Sequence, residues 1–250
     1  MKKKVDRIKI IFKNFGIIIN IMTNKAFLND EFLKSIDTNY KFSNKPIKRF
    51  EIPEEPAQIK LKLEKLMNKI SEINDCDLKK DANKMVFSDG NLKSKLMIIG
   101  EGPGQKEDEM GKPFMGDAGK LLNKMLAAIN IKRESVYITN VVNYRPPNNR
   151  KPTTTEINKY SQFLYEHISI INPKILIIMG STAMEALIGC NYKISKERGI
   201  WKDVIIKGKT YLSIVTFHPA YLLRQPDQKK YSWADLKEIK NKINELNIII

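Results

Sequence analysis

The residues best suited to chemistry lie in four loops, each of which follows a short apolar run. The first loop, from Gly100 to Phe114, begins with three glycines in five residues and contains four carboxylates. Glycines let the backbone approach a flat or charged group closely and expose its N–H donors. By itself this loop is as consistent with an ordinary connection as with a ligand site.

The other three loops supply an amide, a small hydroxyl and a histidine. Asn140 ends the second apolar run, Ser181 follows the third, and His218 follows the fourth. The loop after Asn140 is basic and includes Arg145 and Arg150. An amide, one histidine, an aromatic ring and basic flanks suit an uncharged, flat heterocycle attached to a phosphate backbone.

Several other chemistries are not indicated by these loops. The sequence shows no Ser-His-Asp order, no P-loop lysine after the glycines, and no dinucleotide-binding fingerprint in GEGPG. Its two cysteines, Cys76 and Cys190, have no metal-ligand spacing and are too few for a disulfide framework. This cysteine usage fits a reducing cytoplasm, where we expect the protein to reside.

The elements that must position these loops alternate between short strands and helices. Such alternation predicts an α/β fold, a three-layer α/β/α sandwich with a central, mainly parallel four-stranded sheet. A hairpin is predicted over 204–215, with its turn at Lys207-Gly208-Lys209. Because the carboxyl ends of parallel strands share one edge, the four loops are expected to meet at one cleft.

Helical spacing of apolar residues predicts the outer layers. One helix is expected over 56–73, and Asp117 is expected to cap the next. Thr153 and Glu156 form a capping-box pattern for a third helix. The last helix is expected to bury Trp233.

The length and charge of the chain indicate how many domains it forms and what kind of partner it binds. We expect residues 1–55 to form a flexible N-terminal extension and residues 56–250 to form a single catalytic domain; the alternative for residues 1–21 is that they lie upstream of the true start at Met22. The basic start resembles a signal peptide, but its apolar run is interrupted and too short and charged to span a bilayer, so no membrane partner is expected. The net charge of +16 favours a nucleic acid partner, although coding bias toward lysine would also produce it.

Three motifs, GEGPGQKEDEMGKPFMGDAGKLL, VYITNVVNYRPPNNRKPT and FHPAYLLRQP, closely resemble the signatures of family-four uracil-DNA glycosylases. The resemblance runs in order from about Met85 to Lys240 and excludes residues 1–55. It implies a base excision repair enzyme that flips uracil out of DNA and hydrolyses its N-glycosidic bond without a catalytic metal. It also implies uracil-containing DNA, single- or double-stranded, as the partner, and we expect a monomer.

The resemblance implies roles for individual residues. Phe114 would stack on the uracil ring, Asn140 would read its Watson–Crick edge, and His218 would donate to the O2 side as the bond breaks. The segment from Glu101 to Gly104, including Gly102, would supply backbone N–H groups and pocket wall, with Ser181 beside the base. The residue that directs the water stays open among three candidates, which are Glu101, Glu107 and Asn149.

The resemblance also implies contacts with the DNA outside the base pocket. Leu222 would act as a wedge that fills the gap left by the flipped base. Arg224 would contact a phosphate, and Arg145 and Arg150 would provide a basic flank.

The chain departs from the family at an iron–sulfur site. Many members hold a 4Fe-4S cluster with four cysteines, but here only Cys76 matches a ligand position. The other three positions fall at Ile73, Tyr144 and about Tyr160, and Cys190 matches none. Because such a cluster needs about four thiolates, we expect no cofactor, with apolar and aromatic packing in place of the cluster.

Two alternative functions stay open. One is a related glycosylase for another deaminated base, such as hypoxanthine. The other is a catalytically silent module that binds damaged DNA.

Overall fold

The computed structural model describes residues 7–11, 18–22, 55–74 and 76–249, which fall in two units, Met1–Ile52 and Pro53–Ile250. In the first unit, β1 (Arg7–Ile11) pairs antiparallel with β2 (Ile18–Met22). The sequence analysis predicted no strands there. Apart from Glu55, which precedes the first helix of the second unit, the rest of the predicted flexible extension lies outside the described residues.

The second unit is built on a six-stranded sheet in the order β3-β5-β4-β6-β8-β7. The strands are β3 (Ser88–Gly90), β4 (Leu96–Gly100), β5 (Tyr137–Asn140), β6 (Ile175–Met179), β7 (Trp201–Ile206) and β8 (Lys209–Thr216). The four inner strands are parallel, as predicted. The sheet has six strands rather than four, because β3 and β7, the first arm of the predicted hairpin, add one antiparallel strand at each edge.

The inner strands are short and apolar because both faces of the sheet are covered. In β4, Met97 and Ile99 join one core cluster, whereas Leu96 and Ile98 join the other. All four side chains are fully buried. The two clusters are the two interfaces of the predicted three-layer sandwich.

The helices form the outer layers of this sandwich. They are α1 (Pro56–Ser71), α2 (Asp77–Lys80), α3 (Gln105–Met110), α4 (Asp117–Ala127), α5 (Thr154–Ile171), α6 (Ser181–Leu187), α7 (Ile194–Glu197), α8 (Pro219–Arg224) and α9 (Lys229–Glu245). The buried aliphatic and aromatic carbon side chains of α1, α5 and α6 belong to one cluster, and those of α4, α8 and α9 belong to the other. Within the described ranges, no helix is both long and apolar enough to cross a membrane.

Of the two helix N-caps predicted from the sequence, one is observed and one is not. The capping box of α5 is formed, with Thr153 Oγ1 accepting from the Glu156 N–H at 3.2 Å and Glu156 Oε2 accepting from the Thr153 N–H at 2.7 Å. The N-cap of α4 is instead Gly116, and Asp117 is the first helical residue. Its carboxylate accepts a hydrogen bond from Lys120 at 2.9 Å rather than capping the helix.

The prediction that Trp233 is buried is wrong. The helix α9 begins at Lys229, and its inward stripe runs through Ser232, Leu236, Ile239 and Ile243. Trp233 follows Ser232 by one position, so its side chain turns away from the core and is 45% exposed.

Candidate active site

A cavity of about 810 Å³ lies at the carboxyl ends of the parallel strands. Residues from all four predicted loops line it, which confirms that these loops meet at one cleft. The predicted site residues along its wall are Glu101, Gly102, Gly104, Glu107, Phe114, Asn140, Asn149, Arg150, Ser181, His218 and Arg224. Arg145 and Leu222 do not line it.

Phe114 and Asn140 occupy neighbouring positions beside the end of β4. Gly100 lies opposite Asn140 in the sheet. A Cβ atom at Gly100 would lie 2.5 Å from the Asn140 Oδ1 and 2.6 Å from the Cζ of the Phe114 ring. The glycine therefore leaves the space in which an amide and an aromatic ring converge, and the amide offers both a donor and an acceptor.

His218 is held by the first turn of α8. Its Nδ1 accepts a hydrogen bond from the Ala220 N–H at 3.2 Å, so the proton of the neutral ring is on Nε2. The pKa of His218 is lowered to about 4, mainly by burial and also by the positive charge of Arg224, while Glu107 opposes the shift. The ring stacks on Phe114 with centroids 5.4 Å apart. Near neutral pH it is therefore an uncharged donor at the cavity wall.

The three predicted water-directing residues have different surroundings. Both oxygens of Glu107 are used by backbone amides, namely those of Gly104 at 3.1 Å and of Met115 and Gly116 at 2.8 Å each. Asn149 Oδ1 accepts from the Arg145 Nε at 2.8 Å.

Glu101, by contrast, accepts a hydrogen bond from the buried hydroxyl of Thr182 through one oxygen, Oε2. It lines the cavity at the end of β4. Of the three candidates, it best combines a place in the wall with an oxygen, Oε1, left for a water molecule.

The basic side chains at the cleft differ in how they are paired. Arg150 makes a bidentate pair with Glu156, at 2.7 and 2.8 Å. Lys151 pairs with Glu185 at 3.3 Å. Arg224 is exposed at the cavity mouth, where its charge reaches His218. It is therefore the arginine most directly placed for a phosphate.

The structure contradicts the assignment of Leu222 as a wedge. Leu222 is only 1% exposed and packs in the core beneath α8. A side chain that enters a DNA duplex must be exposed, and its neighbour Leu223 is 44% exposed. Of the two adjacent leucines of α8, Leu223 is therefore the one whose side chain is accessible from outside the fold.

The positions expected for iron–sulfur ligands lie together in the core on the opposite face of the sheet. Cys76, Tyr144 and Tyr160 are all buried there, and Ile73 packs against the same cluster. The Cys76 Sγ lies 3.2 Å from the Tyr160 hydroxyl. Burial raises the pKa of both phenols, which keeps them neutral.

This donor set does not fit a 4Fe-4S cluster. One sulfur and two neutral phenols cannot replace four thiolates. Among the described residues, no group of three or more His, Cys, Asp or Glu side chains is placed to hold a metal ion.

Sequence reasoning missed two residues that support the site. Thr182 lies next to the predicted Ser181, and only the three-dimensional approach of α6 to β4 shows its bond to Glu101. Arg133 bonds to the carbonyl oxygens of Pro113 and Phe114, about 20 residues away along the chain. No local pattern signals such a contact.

Comparison with known proteins agrees with this geometry. Residues 87–239 match the Uracil DNA glycosylase superfamily. A type-4 uracil-DNA glycosylase from Thermotoga maritima is 41% identical over 163 residues, which cover 65% of this chain and 83% of that protein. Type-4 enzymes from Archaeoglobus fulgidus and Sulfurisphaera tokodaii are 37% and 38% identical, each over 71% of this chain and over 91% and 83% of their own lengths. With a match over most of the folded unit and most of each relative, this chain belongs to the uracil DNA glycosylase superfamily, alongside its type-4 members.

Proposed function

We propose that this protein removes uracil from DNA by hydrolysing the bond between the base and the sugar, the first step of base excision repair. The observation that carries this proposal is the convergence of Phe114, Asn140 and His218 on one cavity at the sheet edge. The ring covers the flat face of the base, the amide reads its polar edge, and the histidine donates to its O2.

The neutral state of His218 suits the developing charge. Breaking the C1′–N1 bond leaves the bonding electrons on uracil, whose negative charge lies largely on O2 and O4. The Nε2–H donor becomes more favourable as that charge grows, so it stabilises the transition state more than the bound substrate. The low pKa of His218 keeps the ring uncharged throughout the physiological range.

Glu101 is the proposed water-directing residue. A water oxygen bonds to C1′ as the C1′–N1 bond breaks, the water proton passes to the Glu101 carboxylate, and uracil leaves as an anion. Thr182 occupies one carboxylate oxygen, which leaves the other for the water. Glu107, whose oxygens accept three backbone amides, holds the loop instead.

The chemistry proposed here uses no metal or cofactor, and we propose that the iron–sulfur cluster of the family is lost. The contact between Cys76 and Tyr160, with Tyr144 and Ile73 in the same core cluster, supports packing as its replacement. Iron analysis of protein purified without oxygen tests this directly. A stoichiometric iron content would contradict it.

On the DNA side, we propose Arg224 as a phosphate contact and Leu223 as the wedge, both on α8. The substrate is uracil-containing DNA, in single or double strands, and the protein acts as a cytoplasmic monomer. The exposure of Leu223 and Arg224 on one short helix beside the cavity supports this arrangement.

The test is cleavage of an oligonucleotide with a single uracil, followed by alkali to break the strand at the abasic site. Matched oligonucleotides carry thymine, cytosine or hypoxanthine at the same position. We expect cleavage of the uracil strand alone, and loss of it in Asn140→Ala. A preference for hypoxanthine would indicate a different base, and binding without cleavage would indicate a silent module.

A further inference from the structure

The segment Pro113–Gly116, called the Phe114 loop below, is held in an unusual backbone conformation. Phe114 has a φ of 54°, in the left-handed region that side-chain-bearing residues rarely adopt. Residues in this region persist when their surroundings hold them there, and they concentrate at functional sites. The contacts of this loop identify what holds it.

A guanidinium group holds the carbonyl side of the loop. The Arg133 Nη2 donates to the Pro113 oxygen at 2.7 Å, and its Nη1 donates to the Phe114 oxygen at 3.2 Å. Arg133 is itself fixed, because its Nε donates to the Asp89 Oδ2 at 3.0 Å and its side chain is 14% exposed. One rigid, planar group thus spans two consecutive carbonyls.

A carboxylate holds the amide side of the same loop. The Glu107 Oε1 accepts from the N–H groups of both Met115 and Gly116 at 2.8 Å. Hydrogen bonds from amides to an ionised acceptor are stronger than those between neutral groups. The two charged groups therefore hold the four consecutive residues from opposite ends.

A glycine allows the loop to lie this close to α4. A Cβ atom at Gly119 would lie 1.8 Å from the Phe114 oxygen. Any larger residue there would displace the carbonyl that Arg133 holds. The position of Phe114 is thus set both by hydrogen bonds to two charged side chains and by the absence of a side chain at Gly119.

We propose that Arg133 and Glu107 form a clamp that sets the Phe114 ring in its base-stacking position before DNA binds, with Arg133 a positioning residue for base excision. This inference rests on the proposed function, since it assigns the clamp to the ring that covers the base. Arg133 does not line the cavity, and the contacts of both residues with the Phe114 loop are made to its backbone.

The kinetic test is a double-substitution cycle with Arg133→Lys and Phe114→Ala. Lysine keeps the charge but cannot span two carbonyls and Asp89. Single-turnover uracil release from a single-stranded oligonucleotide should fall ~10-fold in Arg133→Lys, but less than ~2-fold further when Phe114 is already alanine. Full additivity of the two losses would overturn the clamp, because Arg133 would then act independently of the ring.

A second measurement needs no activity. Hydrogen exchange at the amides of Met115 and Gly116, in protein without DNA, should accelerate in Arg133→Lys and in Glu107→Gln. Exchange in β4 and β6 should stay unchanged, as should exchange and uracil release in Lys69→Met, which removes a 2.7 Å ion pair between α1 and α5.

The two measurements separate the inference from the proposed function. Unchanged exchange in both clamp variants would overturn the clamp whatever the enzyme does. Accelerated exchange in a protein that releases no uracil would leave the clamp standing as the device that sets Phe114 and would refute the glycosylase activity.

Discussion

The histidine and glutamate side chains of this cleft each carry two polar atoms. What one of these atoms contacts determines what the other can do. His218 gives its Nδ1 to the Ala220 amide, which leaves an Nε2–H donor. Both oxygens of Glu107 accept hydrogen bonds from backbone N–H groups, whereas one oxygen of Glu101 accepts a hydrogen bond from the Thr182 hydroxyl. Glu101 and Glu107, which the sequence presents as equivalent candidates, therefore differ in whether an oxygen is left for a water molecule.

The first prediction concerns His218. Replacement by alanine removes a donor aimed at developing charge and should lower the single-turnover rate of uracil release by roughly 10²–10³. Binding of undamaged DNA should change little, because phosphate contacts dominate that affinity. Quench-flow or gel-based single-turnover kinetics measure the rate, and a rate near that of the wild type would refute the role of His218.

The second prediction concerns Thr182, whose hydroxyl orients Glu101. Thr182→Val keeps the shape but removes the donor, so the cleavage rate should fall ~10-fold, about what one hydrogen bond to a charged group is worth. Thr182→Ser should restore most of it. In a Glu101→Gln background the valine substitution should have little further effect, and an equal loss in both backgrounds would contradict this role.

At the scale of elements, local patterns in the sequence predicted the parallel strands and the main helices, but they did not always predict which side of a helix faces the core. The four parallel strands were predictable because each is a short apolar run before a glycine, amide or histidine loop. The edge strand β3 has only three residues, Ser88–Gly90, and no apolar pattern. In α8, two adjacent leucines satisfy the same spacing, so only packing against the core distinguishes Leu222 from Leu223.

The third prediction follows from that distinction. Leu223→Ala should slow uracil release from duplex DNA more than from single strands, because an unpaired base needs no wedge to leave the stack. Leu222→Ala should instead lower the free energy of unfolding by about 2–5 kcal/mol, as for other buried leucines. Rates on both substrates and urea unfolding of both variants test this, and the reverse assignment would restore Leu222 as the wedge.

The site was less predictable than the fold, for a reason visible in Arg133 and Glu107. Phe114, Asn140 and His218 could be named because they lie in recognisable motifs at strand ends. The side chains that hold Phe114 in place form hydrogen bonds to backbone atoms. Every residue has the same backbone atoms, so the residue types in the sequence do not indicate such contacts. For that reason Glu107 was predicted among the catalytic candidates, although its contacts are those of a residue that shapes a loop.

At the scale of the whole molecule, both histidines of the chain are uncharged near neutral pH, with His167 buried and His218 half-buried. Burial lowers the pKa of His167 to about 3, and that of His218 to about 4. His167 lies outside the cleft, 2.7 Å from the Tyr137 hydroxyl and stacked on Phe87. The unfolded chain, where histidine titrates near its ordinary pKa, therefore binds protons that the folded chain does not.

The fourth prediction is an acid destabilisation. Stability from these histidines is complete above about pH 6.5 and is lost as the pH falls toward 4, by an amount on the order of 3 kcal/mol for each histidine. Asp235, whose pKa is raised by burial, opposes this trend. Urea unfolding at pH 7 and pH 4.5 measures the loss.

His167→Gln is the matched variant for this measurement, since it keeps a polar partner for Tyr137 without titrating. Its stability should depend less on pH than that of the wild type. An identical pH dependence in both proteins would exclude His167 as a source of the effect.

The two core clusters on either side of the sheet have a consequence for how this chain can change over time. Phe114, Phe217 and Leu222, which support the cleft, pack in one cluster, whereas Cys76, Tyr144 and Tyr160 pack in the other. We expect substitutions in the second cluster to be limited mainly by side-chain volume and burial, and those in the first to be limited also by the placement of the reacting groups. We therefore expect the second cluster to accept exchanges between buried side chains of similar volume, while exchanges in the first cluster also alter the groups that react with the base.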